Sequence, residues 1–65
     1  MEVQKRVADY INGHGIRQVF VCEKAGIKRD RMSNIMTLKS KLTADEFVAI
    51  CEAIHKTPND FMMGA

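Results

Sequence analysis

Cysteine is scarce in this chain. Cys22 and Cys51 are the two thiols, too few and too far apart for a zinc framework or a paired redox motif. Each falls in an apolar stretch of a predicted helix, where a free thiol behaves as a small hydrophobe. Histidine is equally sparse. His14 lies beside two glycines in a turn-like stretch and His55 near a helix end, and neither has a carboxylate or thiol at metal-ligand spacing. The chain therefore offers no metal cluster and no nucleophile with a positioned base. Its one close pair of glycines, Gly13-His14-Gly15, is too short to cradle a phosphate. An enzyme reading ranks last on these grounds, and no cofactor or small-molecule ligand is expected.

Long hydrophobic runs are missing as well. The longest is Val19-Phe20-Val21-Cys22, against the roughly 20 apolar residues of a membrane span. No basic segment followed by an apolar stretch opens the chain, so no secretory signal is expected and the cytoplasm is the expected location. No repeat, low-complexity stretch or linker interrupts the sequence. One domain over residues 1–65 is expected, small enough that its core is marginal.

The net charge of +2 hides an uneven distribution. Residues 1–27 carry +1, residues 28–41 carry +4, and residues 42–65 carry −3. The basic block coincides with one predicted helix and the loop after it, which gives it more weight than a solvated charge run alone.

The periodicity predicts an all-α fold of five short helices. Val3, Val7 and Ile11 recur every four residues in a first helix, with Ala8 and Tyr10 beside the stripe, and Asn12-Gly13-His14-Gly15 stops it. A second helix over about 17–24 is apolar on more than one face, as a centrally buried helix would be. Ala25-Gly26-Ile27 makes a tight corner, and a third helix runs from about 28 to 36. Thr43-Ala44-Asp45-Glu46 reads as a capping box opening a fourth helix, with Phe47, Ile50, Cys51 and Ile54 at helical spacing. Thr57-Pro58 opens a fifth, with Thr as N-cap and Pro at the first helical position. Phe61 and one of Met62 or Met63 should pack inward.

The run Gln18–Thr37, QVFVCEKAGIKRDRMSNIMT, carries the functional signal. Helix, tight turn and helix, with polar hydrogen-bonding residues on the second, suit a protein that lays one helix in the DNA major groove. On a helical wheel Met32 and Ile35 point to the core. Arg29, Asp30, Ser33, Asn34 and Thr37 share an opposite arc of about 140°. A polar face alone is what any surface helix shows. Ser, Asn and Thr on that face need more explanation, because stronger helix formers would cost less there.

The order of elements and the residues Gln18, Cys22, Gly26, Ile27, Met32 and Ile35 resemble the lambda-repressor and Cro family of helix-turn-helix DNA-binding domains, also called the Xre family. The resemblance covers nearly the whole chain, from the first helix to Thr57-Pro58-Asn59-Asp60-Phe61-Met62, and places a helix-turn-helix at 17–37. Gln18 stands where the family very often has Gln, Cys22 at its small-residue crossing and Gly26 at its turn glycine. Two departures are visible. Lys28 stands where the family often has Ser or Thr, and Met36-Thr37-Leu38-Lys39 runs where a Gly commonly follows the recognition helix.

Donor geometry suggests roles. Arg29 suits bidentate bonding to guanine, and Asn34 suits adenine or a phosphate. Ser33 and Thr37 are short and adaptable. Asp30 accepts from cytosine, orients Arg29 or Arg31, or complements the helix dipole. Arg17, Gln18, Lys28, Lys39 and Lys41 are the expected phosphate contacts, and the resemblance implies the same for Gln18. Lys5, Arg6 and Lys24 read as plain solvated charges. The expected activity is sequence-specific binding of double-stranded DNA by a Cro-type transcriptional regulator. Useful specificity needs two half-sites, so a homodimer on an inverted repeat is expected. Met62 and Met63 would supply its interface, or both fill the monomer core. The alternative is an antitoxin or adaptor of the same fold whose main partner is a protein; abundant exposed apolar surface would favour it. Every hydrophobe is expected to have a place on a helix face.

Overall fold

In the computed structural model, which describes residues 2–62, five helices follow in order: α1 Glu2–Gly13, α2 Gln18–Ala25, α3 Arg29–Met36, α4 Ala44–Ala53 and α5 Pro58–Met62. There is no strand among the described residues, and no helix there is long and apolar enough to cross a membrane. The second helix begins at Gln18 with Arg17 as its cap, and the first runs two residues beyond Ile11.

The buried face of α1 is Gln4, Val7, Ala8 and Ile11. Their i, i+3, i+4, i+7 spacing is one stripe of a helix, and a glutamine holds its first position. α1 packs on α3 and α5, while α2 packs on α3 and α4, and α4 also meets α5. Val7, Ile11, Val21, Met32, Ile35, Ile50 and Cys51 form the fully enclosed centre. Phe61 closes one end of it. Its ring meets Tyr10 edge-on at 5.6 Å and Phe47 at 6.3 Å, and its carbonyl accepts from Arg6 Nη1 at 2.8 Å. Arg6 is thus a tie between α1 and α5 rather than a free surface charge.

Four helix ends share one solution to the problem of unpaired carbonyls. At each, a residue with positive φ turns the chain, and the next amide reaches back to a carbonyl in the last turn. Ile16 donates to Ile11 O at 3.0 Å, Ile27 to Cys22 O at 3.0 Å, Lys39 to Asn34 O at 2.9 Å and Lys56 to Cys51 O at 2.8 Å. The turning residues are Gly15 and Gly26, then Leu38 at φ 64° and His55 at φ 59°. Glycine takes this conformation without steric cost; leucine and histidine do not. Leu38 is 48% exposed, so its side chain contributes little packing in return. Leu38→Gly should therefore stabilise the protein by roughly 0.5–1 kcal/mol, read as a higher urea midpoint at unchanged slope, while Gly26→Ala should destabilise by about 1 kcal/mol. A lower midpoint for Leu38→Gly would show that the leucine side chain is holding something at this corner.

The expectation that α2 is buried centrally, on more than one face, is corrected. Val21 and Cys22 are buried, but Val19 is 37% and Phe20 44% exposed. Four consecutive apolar residues span every side of a helix, and α3 and α4 cover only one side of α2. Leu38, Val48 and Met62 are also exposed. Met62 does not pack inward. At 59% exposure it lines an apolar groove of about 240 Å³ with Val3, Leu42 and Phe47. Met63 lies outside the described residues. Both thiols are free and buried, and burial pushes Cys51 up to about 11 and raises Cys22.

Candidate nucleic-acid interface

α3 divides into three sides. Met32, Ile35 and Met36 are buried. Arg31, on the flank, is turned to partners inside the protein. Its Nε donates to Glu46 Oε2 at 2.7 Å, and its Nη2 to Glu46 Oε1 at 2.7 Å and to Lys41 O at 2.6 Å. Arg29, Asp30, Ser33 and Thr37 are exposed and Asn34 half-buried on the remaining side. Arg17, Gln18, Lys28, Lys39 and Lys41 are exposed as well. Among the described residues, none of these ten side chains is in an ion pair, and one makes an internal hydrogen bond. That one is Thr37, whose hydroxyl donates to Ser33 O at 2.8 Å and keeps its lone pairs free.

Asp30 has no salt-bridge partner among the described residues, so orientation of Arg31 is not its role. The arginine that faces α4 takes Glu46 instead, because the α4 capping box brings that carboxylate to it. Glu46 Oε1 accepts from Thr43 N–H at 3.0 Å, and Thr43 Oγ1 accepts from Glu46 N–H at 3.2 Å. Asp30 sits in the first turn of α3, where a carboxylate complements the helix dipole. Neither α2 nor α3 has a side-chain N-cap bond; Arg17 and Lys28 occupy the cap positions. Lysine and arginine carry no acceptor, so the first-turn amides are left to solvent or an outside acceptor.

The guanidinium of Arg31 pulls the Glu46 carboxyl down from an ordinary 4.5 to about 2, with the Thr43 amide and hydroxyl adding to the effect. The Thr57 amide likewise lowers Asp60, its acceptor at 2.8 Å. A carboxyl with a lower value in the folded state binds its proton more readily unfolded, so it stabilises the fold above the ordinary value. That contribution disappears as pH falls from about 4.5 toward about 2. Glu46→Gln should flatten much of the acid limb. Urea midpoints taken at intervals across that range should converge for wild type and variant at the acid end; a constant gap would contradict the assignment.

Three residues that fasten elements of the fold together are not evident from the pattern alone. Gln4 is 2% exposed, and its amide bonds Ile35 O, Ser40 O and Leu42 N–H at 2.9, 2.7 and 3.0 Å. Arg31 holds the Lys41 carbonyl, and Arg6 holds α5. The signal for Gln4 is its place in the 4, 7, 8, 11 stripe. His14 is exposed and stacks on Tyr10 at 3.9 Å, with Nδ1 2.9 Å from Tyr10 O; it serves the corner after α1. Comparison with protein-family models, curated proteins and solved structures found no significant match.

Proposed function

We propose that this chain is a sequence-specific double-stranded DNA-binding regulator of the lambda-repressor and Cro type, with α2 and α3 as its helix-turn-helix and α3 entering the major groove. The observation that carries this reading is the division of labour on α3. One arginine is committed to a carboxylate inside the protein, while its neighbour Arg29, together with Asp30, Ser33, Asn34 and Thr37, faces outward. Donors and acceptors of this mix suit base edges. Arg17 and Gln18 lie at the start of the α2–α3 unit, Lys28 at its corner and Lys39 and Lys41 just beyond its end, positions suited to backbone phosphates that set register. The groove beside Met62 is the apolar surface available for pairing two copies on an inverted repeat.

Selection from a random duplex library at near-physiological salt tests the proposal. An enriched inverted repeat is expected. Arg29→Ala should cost about 1–3 kcal/mol on the enriched site and broaden preference at one base pair, while Lys41→Ala should weaken all duplexes and lower the salt slope by about 1. An unenriched library with weak binding indifferent to Arg29 would sink the reading.

A second reading keeps the fold and gives the chain a protein partner, as an antitoxin or adaptor. The exposure of Val19 and Phe20 favours it, since Phe20 lines two surface clefts, with the Lys24 ammonium 5.8 Å from its ring. Phe20→Ser separates the two. It should leave duplex selection unchanged under the first reading.

A further inference from the structure

The segment after α3 carries two of the proposed phosphate-gripping cations, yet it has no ladder of its own. Residues 38–43 are neither helix nor strand. Even so, each of them has a backbone group in a hydrogen bond. Leu38 donates to Ile35 O at 3.2 Å, and Lys39 and Ser40 to Asn34 O at 2.9 and 3.2 Å. Ser40 O and Leu42 N–H are both taken by the one amide of Gln4, Lys41 O by Arg31, and Thr43 N–H by Glu46.

The Gln4 contact has a specific form. Its Nε2 donates to the carbonyl of residue 40 and its Oε1 accepts from the amide of residue 42, with one residue skipped between. That is the pattern in which one residue of a neighbouring parallel strand, through its own N–H and C=O, bonds the residues on either side of its opposite number. A buried side chain stands in for a missing strand. The skipped residue, Lys41, has its carbonyl held by Arg31 from α3. The same Nε2 bonds Ile35 O, in the last turn of α3, so the helix and the segment are fastened by one group.

We infer that Gln4 and Arg31 are positioning residues for DNA binding: gripping successive backbone groups at 40, 41 and 42, they hold the Lys39 and Lys41 side chains in fixed register with the base-reading face of α3. This rests on the DNA-binding reading. Neither residue needs to touch the nucleic acid. An ammonium on a loose segment still attracts phosphates, but it spends conformational entropy on every contact it makes; on a held segment that entropy is already spent. The fastening at Ile35 O further ties phosphate register to base register, which matters because phosphate contacts orient the protein while base contacts specify sequence.

A double-mutant cycle on duplex binding tests the inference. Lys41→Ala is made in three backgrounds, native, Gln4→Leu and Arg31→Met, and the salt dependence of affinity for one enriched duplex is measured in each pair. Comparison within a background cancels the altered charge of Arg31→Met. In the native background Lys41→Ala should lower the slope by about 1, which is about a 3.5-fold affinity difference between 0.05 and 0.2 M salt. In the other two backgrounds its effect should be clearly smaller, while the preference conferred by Arg29 persists. A purely structural role would leave the Lys41→Ala effect equal in all three, and that result overturns the inference. Should Gln4→Leu be unfolded at the assay temperature, as circular dichroism would show, the Arg31→Met pair decides. A native protein without salt-dependent duplex binding overturns the DNA reading itself, an outcome visible before any variant is made.

Discussion

Gln4→Leu should lower stability by about 2–4 kcal/mol, an unusual loss for exchanging a polar residue for an apolar one of similar size. The reason lies in what the amide leaves behind. Ser40 O and Leu42 N–H have no other hydrogen-bond partner among the described residues; Leu42 is buried and Ser40 half-buried. Ile35 O loses less, because the Thr37 and Leu38 amides still reach it. Each stranded buried group costs about 1–3 kcal/mol, and leucine supplies nothing to offset it. A chain of 65 residues holds only roughly 3–10 kcal/mol in total. The variant should therefore melt about 10–25 °C lower, and Leu42 N–H should exchange with solvent faster than the amides of α4. A loss below about 0.5 kcal/mol in urea unfolding would mean that the segment rearranges freely without Gln4.

Met32→Ala should cost about 2–5 kcal/mol, comparable to Gln4→Leu but by a different route. Met32 is fully enclosed at the centre of the core, between its neighbours Ile35 and Met36 on the inner side of α3. α3 has eight residues, well below the roughly 12–15 at which an isolated helix becomes marginal in water. It exists because that inner side is buried. Truncation at Met32 removes a long side chain and leaves a cavity that α1, α2 and α4 can only partly close. Met32→Leu conserves volume and should cost less than about 1.5 kcal/mol. If the alanine and leucine variants unfold at the same urea concentration, burial at this position is not what seats α3.

The sequence made the helix count, their order and the turn at Gly26 legible, because periodicity and turn chemistry are local. The capping box at Thr43 and Glu46 was legible for the same reason. The outward side of α3 was too, since a helical wheel needs only the spacing of Met32 and Ile35. What was not legible depends on who faces whom. Arg31 and Glu46 are 15 residues apart, and nothing local says that one arginine of α3 is internal business while the next is free. Gln4 reads as an ordinary polar residue beside a Val3, Val7, Ile11 stripe. Its place in the 4, 7, 8, 11 stripe is a faint signal, and its three partners, 31 to 38 residues away, are what make burial of its amide tolerable. Val19 and Phe20 misled in the opposite direction, since apolar character marks a capacity for burial and the packing of α3 and α4 decides which side of α2 is used.

The contact between Arg6 and Phe61, 55 residues apart, has a consequence for how the chain assembles. α1 is held by elements made after it: it rests on α3 and α5, and its buried glutamine on the segment before α4. At about 5–20 residues per second of synthesis, Val7 and Ile11 wait seconds before Phe61 exists to close over them. α2 packs on α3 and α4, which follow it more closely in the chain, so its partners arrive sooner. Among residues 2–62, the contacts of α2 thus close over short stretches of chain, and the docking of α1 with α5 spans the longest.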